Sequence, residues 1–287
     1  MSIRLASGLR HKGVRYVARG LRVTVRGSVR PFVEGQSAVV EVKQRGRTVA
    51  RKAVAIKRAG KSGRFVMRFT ARRAGAHTVG ATHRRSAEQE EFSARRQSLR
   101  AISPRAGTGS RGTSVRVLQE GLSRLGFVTE RGGKFGAGTS RAVIAFRKVN
   151  GMRRTGFASA EIFRKVLSGR GGFKLRYPKA GKHVEYDFSR QVLVLARGGK
   201  PERIYHSASG APATPTVFGT FRFYRKQQGT NAKGMVHSSY FIRGYAIHGY
   251  KSVPTQPASH GCLRVPIPNA LSIFRWVKQG DQIMVYR

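Results

Sequence analysis

Acidic residues are scarce: 12 Asp and Glu stand against 57 Lys and Arg, a formal net charge of +45 over 287 residues. None of the twelve falls between Arg203 and Gly280. That gap excludes paired carboxylates for glycoside hydrolysis in the stretch, and a carboxylate-rich magnesium or calcium site with them. Cysteine occurs once, at Cys262, so no disulfide can form within the chain. No run approaches about 18 apolar residues, so no membrane-spanning helix is visible. The first residues, Met1 to Arg10, lack the apolar centre of a signal peptide. Zinc has poor prospects. His237, His248, His260 and Cys262 are the available ligands, His260-Gly261-Cys262 suits no regular element as a ligand pair, and there is no CxxC or HExxH pattern. No metal and no cofactor are expected.

What is abundant is positive charge, and a chain this basic adheres to polyanions. The basic residues are scattered along every segment, without a dense Lys/Arg run or a recognisable nucleic-acid motif. The charge therefore reads as adhesion to a polyanionic surrounding, with no specific nucleic acid as partner. The length exceeds one ordinary domain, and 39% hydrophobic content with 16 Phe can fill more than one core.

Hydrophobic periodicity divides the chain. Residues 1–20 show no pattern and are expected to be a loosely ordered basic lead. From 21 to 100 the period is two: Leu21, Val23 and Val25; Val40 and Val42; Val54 and Ile56; Phe65, Met67 and Phe69; Val79 and Ala81. Glycine-containing breaks between the runs predict short antiparallel strands in an immunoglobulin-like β-sandwich. Residues 101–111 read as a linker. Over 112–169 the period becomes helical. Val115, Leu118, Leu122 and Leu125 share one face, Val143, Phe146 and Val149 a second, and Ile162, Phe163, Val166 and Leu167 a third. Thr139 or Ser140 can cap the middle helix, and Gly126, Asn150-Gly151 and Gly169 close the three. A small three-helix bundle is expected. A second linker covers 170–182. Alternation then returns over 183–287, with one helix near Asn269–Lys278, predicting a mainly β domain.

Residues 245–265 concentrate the chemistry. Cys262 has His260 before it, Arg264 after it and His248 fourteen positions upstream. A thiolate needs a base or a positive charge nearby to form at neutral pH. A cysteine with histidine in reach is the minimum apparatus for acyl transfer. Gly261 lets the backbone turn sharply, so the N–H groups of Gly261 and Cys262 can serve an oxyanion. His260 can shape the site and favour the thiolate by its charge. Arg264 can grip a carboxylate in bidentate fashion, Ser259 can bond His260 or backbone, and Tyr250 and Tyr240 are candidate substrate walls. An acidic third member of a triad would have to come from Glu185, Asp187, Glu202 or Asp281.

His248-Gly249 followed by Ser259-His260-Gly261-Cys262-Leu263-Arg264 resembles the signature of the YkuD family of L,D-transpeptidases, which cross-link bacterial peptidoglycan. The resemblance extends over residues 183–287. It includes Pro215 to Phe221, similar to the family's TPTG-F segment but lengthened here by Val217-Phe218. The resemblance implies that Cys262 forms a thioester with a donor stem peptide, that His248 handles the protons, and that the Gly249 carbonyl orients the imidazole. It also implies stem peptides as partners, sensitivity to carbapenems and work outside the cytoplasmic membrane; the positive charge adds anionic wall polymers as candidate partners. The run Val115-Arg-Val-Leu-Gln119 with Leu125-Gly-Phe127, Phe135-Gly136 and Phe146 resembles the peptidoglycan-binding domain 1 family, with Arg147 where many members have glutamine. Water in place of an amine acceptor would make the same site an L,D-carboxypeptidase. A protein that only binds wall or polyanion is the rival from another class.

Overall fold

Period-two alternation governs the first hundred residues of the computed structural model, which describes residues 1–287. Its strands are β1 (Ser2–Leu5), β2 (Leu9–His11), β3 (Val14–Ala18), β4 (Arg22–Val29), β5 (Ser37–Gln44), β6 (Arg47–Ala55), β7 (Lys57–Ala59), β8 (Ser62–Thr70), β9 (Gly75–His83), β10 (Phe92–Ser93) and β11 (Gln97–Ile102). In β8, Phe65, Met67 and Phe69 turn inward while Arg64, Val66 and Arg68 face water, as the two-residue repeat of a strand demands. One sheet runs β1-β4-β8-β7; the other runs β2-β3-β11-β9-β5-β6, with β10 on β9. Val23, Val25, Val40, Val42, Phe65, Met67 and Leu99 form their shared core. Each such side chain contributes about 1.5–3 kcal/mol by leaving water.

Two boundaries differ from expectation. Residues 1–20 are not a loose lead: they hold three strands, and β1 pairs with β4 from Ser2↔Ser28 to Leu5↔Val25. The linker expected from 101 begins later, because β11 reaches Ile102 between β3 and β9. The signal was missed because the buried residues Ile3, Leu5 and Leu9 are too few per strand to show a period.

Three helices follow, α1 (Thr113–Arg124), α2 (Ala137–Val149) and α3 (Ala160–Leu167). The expected cap at Thr139 or Ser140 is not used. The α2 N-cap is Gly136, and the Glu130 carboxylate accepts from the Gly136 and Gly138 N–H groups at 3.1 and 3.0 Å, an acid at the positive end of the helix. By internal contacts the chain divides into two units. The first is Met1–Ala106 with Arg111–Gly121 and Ala158–Arg170; the second is Gly107–Ser110, Leu122–Phe157 and Gly171–Arg287. In the first, α3 packs on β3.

The second unit carries α2 and the remaining elements: β12 (His183–Asp187), β13 (Val192–Arg197), β14 (Lys200–His206), β15 (Gly219–Arg222), β16 (Arg225–Thr230), β17 (Val236–Ile242), β18 (Tyr245–Tyr250), β19 (Leu263–Pro266), α4 (Ile267–Trp276) and β20 (Gln282–Tyr286). One sheet is β14-β13-β12-β20-β15; the other is β16-β17-β18-β19. Val184, Tyr186, Leu193, Leu195, Ile247, Leu263, Val265 and Ile273 fill the core they share with α4. The helix expected over Asn269–Lys278 starts two residues earlier, with Pro266 as its N-cap. Helix α2 lies against β13 and β14, and residues 126–128 run beside β14: Val128 N–H donates to the Ile204 carbonyl at 3.1 Å, and Ile204 N–H to that of Gly126 at 2.8 Å.

Candidate active site

Strands β18 and β19 are parallel neighbours, with Ile247 opposite Leu263 and His248 opposite Arg264. Side chains alternate across a sheet, so one face of this pair is settled by the core. Ile247, Leu263 and Val265 enter that core. Ala246, His248 and Tyr250 therefore share the other face with Arg264 and with Cys262, which directly precedes β19. Cys262 packs against the buried cluster of Met235, Tyr240 and Ala246. The strand pairing thus brings an imidazole and a thiol fourteen residues apart in sequence onto one surface.

His248 is 3% exposed, and its Nδ1 lies 2.9 Å from the Gly249 carbonyl oxygen. A carbonyl can only accept, so Nδ1 carries the proton and Nε2 keeps its lone pair. Burial holds the His248 pKa below its ordinary value; the Gly249 carbonyl opposes the shift and the Arg264 charge reinforces it. Burial raises the Cys262 thiol, opposed by the Ala246 backbone and the charges of Arg264 and Lys233. The thiol's hydrogen bond goes to the Gly244 carbonyl at 3.7 Å. Both shifts disfavour the charged forms, imidazolium and thiolate. None of the four carboxylates considered as a third member partners His248. Glu185 binds the backbone of Arg176 and Tyr177, Asp187 binds Arg190, Glu202 binds Trp276, and Asp281 binds Lys182 and the Lys278 N–H.

The turn before Cys262 is held from residues 207–216. Ala258 and Ser259 N–H donate to the Ser209 carbonyl at 2.8 and 2.9 Å, and Ala211 N–H to the Ser259 carbonyl at 2.7 Å. Thr216 Oγ1 donates to the Gly261 carbonyl at 2.7 Å and accepts from Gly210 N–H at 2.9 Å. Ser207 Oγ donates to the Arg264 carbonyl at 2.7 Å. Two glycines allow this closeness. At Gly210 a Cβ would stand 2.1 Å from the Thr214 oxygen; at Gly261, where φ is +111°, it would stand 1.9 Å from the Tyr245 ring. Thr214 Oγ1 adds a bond to the Ser259 carbonyl at 3.0 Å. Sequence reasoning missed Ser207 and Thr214 because single hydroxyls carry no pattern, and Ser209 because it acts through its backbone carbonyl. Thr216 had a signal in its segment but no assigned task.

The other sequence candidates fall in different places. Arg264 stacks on Tyr250, its guanidinium carbon 4.2 Å from the ring centroid, and Tyr250 meets His248 edge-on at 5.7 Å. Tyr240 is 5% exposed, with its hydroxyl on Gln227 and Arg225 over its ring, so it floors the sulfur's surroundings rather than walling a cleft. Ser259 bonds backbone and not His260: its Oγ donates to the Cys262 carbonyl at 2.6 Å and accepts from Gly261 N–H at 3.1 Å. That last bond occupies the Gly261 N–H, one of the two donors expected for an oxyanion. His260 points to solvent, and the charges acting on the thiol come from Arg264 and Lys233 instead.

The loop from 251 to 258 is tied down by groups that no motif announced. His206 Nε2 lies 2.8 Å from the Val253 carbonyl oxygen. Behind it Lys148 of α2, 3% exposed, donates to the Gln191 and Ser207 carbonyls at 2.9 and 2.8 Å and meets His206 Nδ1 at 2.9 Å. Burial without a counter-ion pushes the Lys148 amine down to about 6, with the Arg154 charge adding to it. Arg154 donates to the Thr255 carbonyl at 2.5 Å and to that of Ser189 at 3.0 Å.

Comparisons with known proteins agree with this architecture. Residues 181–285 match the L,D-transpeptidase catalytic domain family, and residues 111–166 match a putative peptidoglycan-binding domain. No curated protein matches the chain. Among solved structures, an L,D-transpeptidase from Xylanimonas cellulosilytica is 29% identical over 64% of this chain and 98% of that one, with a TM-score of 0.59. An L,D-transpeptidase from Stackebrandtia nassauensis is 20% identical over 63% of this chain and 95% of that one, with a TM-score of 0.40.

Proposed function

Since the chain carries an L,D-transpeptidase catalytic domain beside a peptidoglycan-binding one, we propose that its turnover runs through Cys262 and His248. The Cys262 sulfur attacks the carbonyl between the third and fourth residues of a donor stem peptide. His248 Nε2 takes the thiol proton during the attack and returns it to the departing amine of the terminal D-residue. The Cys262 N–H steadies the tetrahedral oxyanion, a contribution of about 3–4 kcal/mol for a well-aimed donor. An acceptor amine then attacks the thioester carbonyl, His248 takes the amine proton, and the C–S bond breaks to leave the new amide and a sulfur that takes the proton back from His248. Arg264, fixed on Tyr250 beside the imidazole, is the group to grip a stem carboxylate. The protein works in the cell wall or periplasm on peptidoglycan stems, and its +45 charge favours anionic wall polymers as secondary partners.

The observation that supports this reading most is the Nδ1 contact of His248 to Gly249, because it leaves the basic nitrogen free on the face that bears Cys262. Incubation with a disaccharide-tetrapeptide tests it. Cross-linked dimers and an acyl adduct on Cys262 are expected from the native protein, and neither from Cys262→Ala, which keeps its fold. Turnover by Cys262→Ala would end the proposal, and tripeptide without dimers would move it to hydrolysis.

A further inference from the structure

A groove of about 360 Å³ opens beside Tyr250, between α2, the loop after β18 and the start of α4, lined by Arg141, Ile144, Lys251, Val253 and Ile267 with His206 at its floor. Its two lining cations, Arg141 and Lys251, are ion-paired to no carboxylate in the structure. The Arg141 Nε is buried and has no hydrogen-bond partner. A buried guanidinium N–H left unpaired is costly, and an anion is the partner that removes the cost. The apolar wall of Ile144, Val253 and Ile267 suits the aliphatic part of a peptide.

We infer that this groove is the subsite for the free carboxylate of the acceptor stem peptide, held by Arg141 of α2 and Lys251. The assignment rests on the transpeptidase reading above. Tyr250 is the link to the chemistry. One of its neighbours is the His248 ring, and it also lines the groove, so a peptide anchored there runs toward the imidazole that must take the acceptor's proton. The occupant is a peptide carboxylate and not a wall phosphate, because the cleft is half apolar and offers two cations rather than a ladder of them. Helix α2, from the segment matched to a peptidoglycan-binding domain, thereby contributes directly to acceptor choice.

The full chain tests this with two half-reactions. Donor acylation is followed by intact mass on Cys262, and transfer is followed with an amine acceptor whose terminal carboxylate is free or amidated. Arg141→Gln and Lys251→Gln should each raise the KM for the free-carboxylate acceptor roughly tenfold, leave the amidated acceptor unchanged, and leave the acylation rate unchanged. Arg141→Lys should recover part of the loss. Lys251 is exposed, so its variant carries the test even where Arg141→Gln folds poorly. Equal losses in donor acylation and transfer would assign the groove to the donor and overturn the inference. So would identical KM values for the two acceptors, or competition by a polyphosphate with no effect of the carboxylate. A native protein that never forms the Cys262 adduct would overturn the transpeptidase reading with it; a normal adduct without acceptor discrimination overturns this inference alone.

Discussion

Thr216→Val removes one oxygen from the support of the turn before Cys262 and nothing else of similar size. The Thr216 side chain is 1% exposed, and its hydroxyl joins Gly210 N–H to the Gly261 carbonyl. Valine fills the space but can neither accept nor donate, so two buried backbone groups lose their partner. Each orphaned group costs about 1–3 kcal/mol, for a total of roughly 2–6 kcal/mol. Trp276 is the only tryptophan and is 7% exposed in the catalytic core, so its fluorescence in a urea titration reads this loss directly. Gly261 also adjoins Cys262. If about 1.4 kcal/mol of the loss appears as misplacement of the sulfur in the transition state, acylation falls tenfold. Intact mass after timed exposure to the donor stem peptide measures that rate. Thr216→Ser should restore both readouts. A Thr216→Val protein with an unchanged urea midpoint and unchanged acylation would refute the idea that this hydroxyl braces the turn.

Further perturbations separate the remaining roles. Alkylation of Cys262 by iodoacetamide should rise with pH beyond the ordinary thiol range of about 8.5, since burial raises the thiol; a midpoint below about 7 would mean a preformed ion pair. His248 has a lowered pKa, so acylation should survive as pH falls through about 6.5, the usual imidazole value, and fail only below it. Arg264→Gln removes a charge that lowers both groups, so both midpoints should move up; a downward shift of either would contradict the assignment. Arg154→Met frees the Thr255 and Ser189 carbonyls. Losing about 1.5 kcal/mol of local stability there, the low end for a hydrogen bond to a charged group, should speed amide exchange over 251–258 at least tenfold, and unchanged exchange would show that the loop does not need the clamp.

The proposed reacting pair stands out in the sequence because its residues fall in two short runs, His248-Gly249 and Ser259 to Arg264. The strands around it were legible where one face is buried, as in β8, or both, as in β13. They were not where burial is slight or brief. β16, reading Arg225 to Thr230, is polar and largely exposed along its length, so it has no alternation to find and exists through its pairing with β17. β1 to β3 are too short to establish a period. Lys148 was invisible for another reason. In a chain with 57 basic residues, one buried cation looks like any solvated one, and only the fold gathers the Gln191 and Ser207 carbonyls and His206 around it. The reuse of Gly261 N–H by Ser259 was equally hidden, since spacing shows which groups are near and not which of them are already satisfied.

The burial of Lys148 has a practical consequence for anyone wishing to express the catalytic segment alone. A fragment trimmed to the matched borders, 181–285, discards α2 and takes away the amine that three acceptors surround, as well as the guanidinium that ties Thr255 to Ser189. Such a fragment would carry every residue named in the reaction and still start from a slacker geometry, so the smallest honest enzyme begins upstream, near Leu122.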